Sequence, residues 1–580
     1  MSIFERSWAV TVPAVLAAFF LAACATPQKA LQTGADSLAQ TAAKAAVVTP
    51  PALAPLPEPV SLATYTRHVV TLAADDFGGR KPGSSGEQKT LDYLVAEFKR
   101  LGLEPANGDS YLQAVPMVEI TAASDAALTL TTGGASRALE YGKDMVIWTK
   151  RVKEQESIKG SELVFVGYGI TAPEFDWDDY AGVDMRGKTA VILVNDPGFA
   201  TQDPNLFRGR TMTYYGRWTY KYEEAARRGA AGAIIVHETE PAAYGWDTVA
   251  NSWTGPQLDM QTRDGNAGRV AIEGWITQSQ AEQLFAANGG SYEAAKDRAK
   301  VRGFKPEALQ TKVTAAVRNS VRRANSYNVA ARLPGSRRPN EHVLYMAHWD
   351  HLGQMIGRSG DSIFNGAVDN ATGTAGLLAI AEAFSKAEQR PERSLLFLAV
   401  TLEESGLLGS AYYVDNPLAP LASTAAVINM DAIPFGGPTR DVTVIGAGAS
   451  ELEDYLAALA QRQDRVLRPE STPEKGAFYR SDHFNFAKRG VPSLYAKLGI
   501  DDRERGAEWG AAQMVDYTAK RYHQIGDEYR PEVDLRGGWQ DLNLLYAVGA
   551  QIASEATFPN WYPGNEFRAI RDRSLATMAK

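Results

Sequence analysis

The sequence predicts an α/β fold: a mostly parallel, mixed sheet flanked by helices, with a β-rich domain inserted into it. Three observations carry this expectation. From about residue 325, apolar strands (343–347, 395–400, 425–429) alternate with helices (374–384, 407–414). Unbroken apolar strands of this kind belong to parallel sheets covered on both faces. Between about 145 and 305 the texture is different: 163–169, 189–194 and 233–236 read as buried strands among many aromatic residues. Finally, 580 residues exceed what one core sustains, so two or three domains are expected.

In chain order, residues 1–24 read as an export signal. Arg6 precedes an apolar run from about Trp8 to Phe20 that Pro13 interrupts, too short to span a bilayer comfortably. It ends in Leu21-Ala22-Ala23-Cys24, which resembles the lipobox of bacterial lipoproteins. That resemblance implies a lipid on Cys24, the chain's single cysteine, and attachment to a membrane. Ala25 after the cysteine favours the outer membrane, facing the periplasm. Residues 25–60, rich in Ala, Gln, Thr and Pro, read as a flexible tether, because they carry too little apolar surface to offset the entropy of ordering.

Residues 61–144 read as the N-terminal part of the main domain. Within them 87–101 forms an amphipathic helix on Leu91, Leu94, Val95 and Phe98, with Gly102 at its C-terminal cap. Residues 145–305 form the insert, whose only histidine, His237, reads as structural. Residues 306–580 form the main part of the α/β domain. The net charge is −8 with scattered Lys and Arg, which argues against nucleic acid as a partner. Without another cysteine the mature chain has no disulfide.

In open α/β sheets ligands gather at the carboxyl ends of the strands, and there this chain places its chemistry. The first strand ends in His348-Trp349-Asp350, the second is followed by Glu403-Glu404, the third by Met430-Asp431. A Gly/Asn-rich loop delivers Asp369 at the start of a helix, and His523 stands in a polar stretch after a strand at 493–496. Each residue alone has a structural explanation. Together they crowd like charges that a divalent metal would neutralise, and two imidazoles with three carboxylates suit zinc.

His348-x-Asp350, Val368-Asp369-Asn370, Glu403-Glu404-Ser405-Gly406, Asn429-Met430-Asp431, Ser481-Asp482-His483 and Tyr522-His523 resemble, in order, the motifs of the co-catalytic di-zinc aminopeptidases, family twenty-eight of the metallopeptidases. The resemblance covers about residues 60–560 and implies the zinc-peptidase fold. The insert resembles a protease-associated domain. The resemblance implies two zinc ions per chain: Asp369 bridging them, His348 and Asp431 completing one site, Glu404 and His523 the other. It implies Glu403 as general base, Tyr522 as hydrogen-bond donor to the oxyanion, and Asp350 as the partner that fixes the His348 tautomer. Asp482 and His483 match a motif without an assigned role, and His351 reads as incidental. The activity implied is hydrolysis of N-terminal residues from peptides. Carboxypeptidase or dipeptidase action, glutaminyl cyclisation, and a catalytically dead receptor-like protein are the alternatives.

Overall fold

The computed structural model describes residues 53–578, apart from 124, 254–255 and 356–358; Cys24, the export signal and most of the tether lie outside them. Residues 54–580 group as one compact unit. Its last proline-rich turn is docked, against the expectation of a flexible tether up to residue 60. Arg462 donates to the carbonyls of Ala54 and Pro55, and the Val60 N–H donates to Asn543 Oδ1 at 3.0 Å. Leu56 and Val60 bury their side chains. Two apolar anchors and a carbonyl-binding arginine are enough to order a segment whose composition reads as linker.

Helix α1 (Leu62–Leu72), capped by the Ser61 hydroxyl, and α2 (Ser85–Arg100), capped by Ser84, follow. α2 is the helix the apolar spacing predicts, and it buries Leu91, Leu94 and Phe98. β1 (Leu112–Ala122) then pairs antiparallel with β2 (Glu307–Leu333), a 27-residue strand. β3 (Arg338–His348), α3 (Gly373–Ser385), β4 (Arg393–Val400), α4 (Leu408–Asp415), β5 (Thr424–Asn429) and β6 (Ser493–Leu498) form the alternating part. The order is β2-β4-β3-β5-β6, with β4, β3, β5 and β6 parallel and β2 antiparallel. The mixed, mostly parallel α/β sheet is therefore present. β4 and β5 are buried throughout, and β3 from His342 onward, because helices cover both faces. α5 (Gly506–Lys520), which leaves most of its surface outside the core, and α6 (Arg536–Ser554) close the domain.

Residues between β1 and β2 build a second sheet in which Gln155–Phe165, Thr189–Leu193, Gly232–His237 and Ile272–Thr277 run parallel. It also takes in Ala127–Thr132 and Ala135–Leu139, before position 145. Its apolar clusters, around Phe165, Val191 and Ile234 on one face and Trp148, Tyr222 and Trp275 on the other, are separate from the main core. β2 belongs to both sheets: its first half pairs with Gln155–Phe165, its second half with β1 and β4. Among the described residues no helix is long and apolar enough to cross a membrane.

Candidate metal centre

Strand register brings the site together. Met346 on β3 pairs with Asn429 on β5, so His348 and Asp431 stand level on adjacent strands. His348 pairs with Val400, the last residue of β4, which places Glu403 and Glu404 just beyond the same edge. Asp369 arrives on the loop before α3. That loop needs Gly366, whose φ is +55° and whose added Cβ would stand 2.2 Å from the Asp369 carbonyl oxygen. His523, with φ of +56°, follows α5 and faces the cluster from the open side.

Asp369 sits in the middle. Its Oδ1 lies 3.2 Å from His348 Nε2 and its Oδ2 lies 3.2 Å from His523 Nε2. His348 Nε2 is also 3.4 Å from Asp431 Oδ1, and His523 Nε2 is 3.1 Å from Glu404 Oε2. The structure thus gathers all five expected ligands into two groups that share Asp369. It adds a sixth side chain: His351 Nδ1 lies 2.6 Å from Glu404 Oε1, and His351, Asp369 and Glu404 form one of two potential metal-holding clusters. His351 Nε2 is buried with no partner among the described residues.

The arrangement fits a cation. The His348 Nδ1 hydrogen reaches the Asp350 carbonyl oxygen at 3.2 Å, which leaves Nε2 to face two carboxylates. A lone pair opposed to carboxylate oxygens needs a proton or a metal ion between them. The charges show the same demand. Burial works against protonation of His348, yet Glu403, Asp369 and Asp431 push its pKa well above the usual value. His523 is raised to about 10, since Glu404 and Asp369 outweigh its burial. Burial alone would raise Asp369, but the two imidazoles hold it well below the normal carboxylate range. A divalent ion would take over the role of those protons, and the nitrogen and oxygen donors are of the types zinc accepts.

Asp350 acts differently from the expectation. Its carboxylate is 3.9 Å from His348 Nδ1, beyond hydrogen-bond range, and its main-chain carbonyl makes that contact instead. The carboxylate Oδ1 accepts the Glu403 N–H at 3.2 Å, tying the ends of β3 and β4 together. Burial pushes Asp350 up to about 7. Glu403 makes no side-chain hydrogen bond among the described residues, and burial pushes its pKa well above the carboxylate range against the pull of His348. The Tyr522 ring stacks on His523 with centroids 4.0 Å apart, and burial keeps its phenol protonated. Asp482 accepts from Ser410 Oγ at 2.5 Å, and His483 Nδ1 meets Asn429 Nδ2 at 3.2 Å, so both belong to a polar layer beneath β5. His237 bonds the Tyr244 carbonyl at 3.0 Å within the insert and takes no part.

Two buried residues absent from the expected set hold the Asp369 loop. Asp527 accepts the N–H groups of Val368 and Asp369, and its own carbonyl accepts that of Ala367 at 3.0 Å. Arg80, fully buried, donates to the carbonyls of Leu72, Trp349, Asn365 and Gly366 at 2.6–2.9 Å. Beside Val368 a largely apolar cleft opens between Phe435, Leu498, Trp509, Met514 and Tyr517.

The sequence model of Peptidase family M28 matches residues 328–544. Aminopeptidase NAALADL1 of Rattus norvegicus is 32% identical over 145 residues, which cover 24% of this chain and 18% of that one. A "probable leucine aminopeptidase 2" of Aspergillus oryzae is 24% identical over 467 residues, 77% of this chain and 74% of the relative. Among solved structures, an aminopeptidase from Aneurinibacillus sp. strain AM-1 covers 86% of this chain and 95% of its own, with 22% identity and a TM-score of 0.47. The match to the rat relative thus spans less than a fifth of its length. Residues 328–544, the part of the chain that the Peptidase family M28 model matches, carry every side chain of the two clusters.

Proposed function

We propose that the protein is a zinc metallopeptidase that releases N-terminal residues from peptides, with two zinc ions to which Asp369 would be a common ligand. The observation that carries this reading is the division of the two Asp369 oxygens between His348 and His523, beside an uncommitted Glu403. His348 and Asp431 would hold one ion, Glu404 and His523 the other. Bound there, the ions would polarise the scissile carbonyl and acidify the attacking water.

The chain's own groups perform the rest. Glu403 takes the proton of the attacking water on its carboxylate and passes it to the leaving amine. The Tyr522 hydroxyl, kept protonated, supplies a hydrogen bond to the developing oxyanion. The cleft beside Val368 accepts an apolar side chain of the substrate and excludes water from it.

The reading extends to the chain's other parts. A lipid on Cys24 would hold the enzyme to a bacterial membrane, supported by Leu21-Ala22-Ala23-Cys24. The insert would be a protease-associated domain, supported by its separate apolar clusters. The experiment is direct: protein lacking residues 1–24 is titrated with zinc and assayed on an aminoacyl-arylamide with and without a chelator. Saturation near two equivalents and chelator-sensitive hydrolysis support the reading. A chain that cleaves the arylamide equally well after complete metal removal refutes it.

A further inference from the structure

β6 brings a cation to the edge of the site. Asn429 pairs with Tyr495, so Lys497 stands level with Asp431 on the next strand, about 4.8 Å across the sheet. The Tyr495 hydroxyl donates to the Asp431 carbonyl at 3.0 Å, and Lys497 Nζ donates to the Tyr495 oxygen at 3.3 Å. An ammonium has three donors, and this is the one hydrogen bond the Lys497 Nζ makes among the described residues. Its Nζ also lies 5.2 Å from the Tyr495 ring centre.

A half-buried ammonium with two unused donors is costly unless an anion joins it. The carboxylates whose charge reaches Lys497 are Asp431, Glu470 and Asp369, and none forms an ion pair with it. Asp431 and Asp369 face the imidazoles, and Glu470 accepts the Gly446 N–H at 2.9 Å. None of the three is therefore a direct partner of the Lys497 ammonium. The complement it lacks is a negative group brought in by the substrate.

Geometry selects which group. Lys497 is one strand spacing from Asp431, and each further residue of an extended peptide moves its terminus about 3.5 Å away. The anion within reach is therefore the carboxylate of the residue directly after the scissile bond. Resting on the peptidase reading above, we propose that Lys497 anchors the free C-terminal carboxylate of the substrate, making dipeptides the preferred substrates of this site.

The test uses two readouts. The first is kcat/KM of the zinc-loaded enzyme on Leu-Gly and on Leu-glycinamide, which differ only in the carboxylate. The second is calorimetric binding of their uncleavable reduced-bond analogues (CH2–NH in place of the amide). Wild type should favour the free carboxylate by about tenfold or more in both, the range of a charge-assisted hydrogen bond. Lys497→Met should bring both ratios close to one, and Lys497→Arg should restore most of the preference. Equal handling of acid and amide by the wild type, or a preference that survives in Lys497→Met, overturns the proposal. If no peptide is cleaved, the peptidase reading fails, while the binding ratio still decides the role of Lys497.

Discussion

The Asp527 carboxylate accepts the main-chain N–H of Asp369 at 3.0 Å, and so fixes the residue that both clusters share. Asp527 lies four residues after His523. One short segment therefore carries a ligand of one cluster and the support of the bridge. Replacing the supports of ligands usually lowers metal affinity by about 10–100-fold. Asp527→Asn should fall in that range in chelator competition while remaining folded, because the amide still offers one acceptor. Asp527→Ala should lose more, with a lower melting temperature.

Arg80 joins three segments, since its four carbonyl partners come from α1, the end of β3 and the Asp369 loop. Arg80→Met leaves those buried carbonyls without a donor, at a cost of about 1–3 kcal/mol each where no water replaces it. Denaturant unfolding should show a loss of several kcal/mol. Arg80→Lys should recover only part of it, because an ammonium cannot reproduce the planar fork.

His351 contacts Glu404 through Oε1, whereas His523 contacts it through Oε2. His351→Ala should weaken the ion held by Glu404 and His523 by about tenfold and spare the ion at His348 and Asp431. Stepwise metal removal should then show one loosely and one tightly held equivalent. Two equally weakened equivalents would assign His351 to the whole centre.

The raised imidazoles set a pH dependence. The His523 pKa is about 10 in the metal-free fold against about 6.5 unfolded. A raised folded-state pKa contributes stability that is complete below about 6.5 and is lost as pH rises towards 10. Metal-free protein should thus lose stability between these values, while zinc-loaded protein should not. Zinc must displace these protons, so its apparent affinity should keep rising above pH 7. Melting curves and zinc titrations across this range check both signs.

His348, Glu404 and Asp431 were legible together in the sequence because each stands at or just beyond the end of an unbroken apolar strand, and parallel strands end on one edge; Asp369, on the loop before α3, and His523, after α5, have no such signal. The supports were not. Arg80 and Gly366 lie 286 residues apart and Asp527 and Asp369 lie 158 apart, so no local period joins them. Proximity to His523 was the available sign for Asp527, and for Arg80 a positive charge following two glycines. His351 read as incidental because its contact with Glu404 depends on side-chain direction. Residues 54–60 were misread because composition registers their prolines, whereas burial of Leu56 and Val60 depends on the surface they meet. The insert's extent was blurred by β2, which passes from one sheet to the other without a break.

The central claim is a division of labour between adjacent glutamates, Glu404 holding metal and Glu403 moving the proton. The most direct measurement is zinc content and turnover of Glu403→Gln, which keeps the shape and removes the base. The account predicts zinc near two equivalents per chain, as in the wild type, with kcat lowered by about 10²–10⁴-fold, the range general-base catalysis supplies. Loss of zinc along with turnover, or turnover that persists with zinc retained, would contradict it.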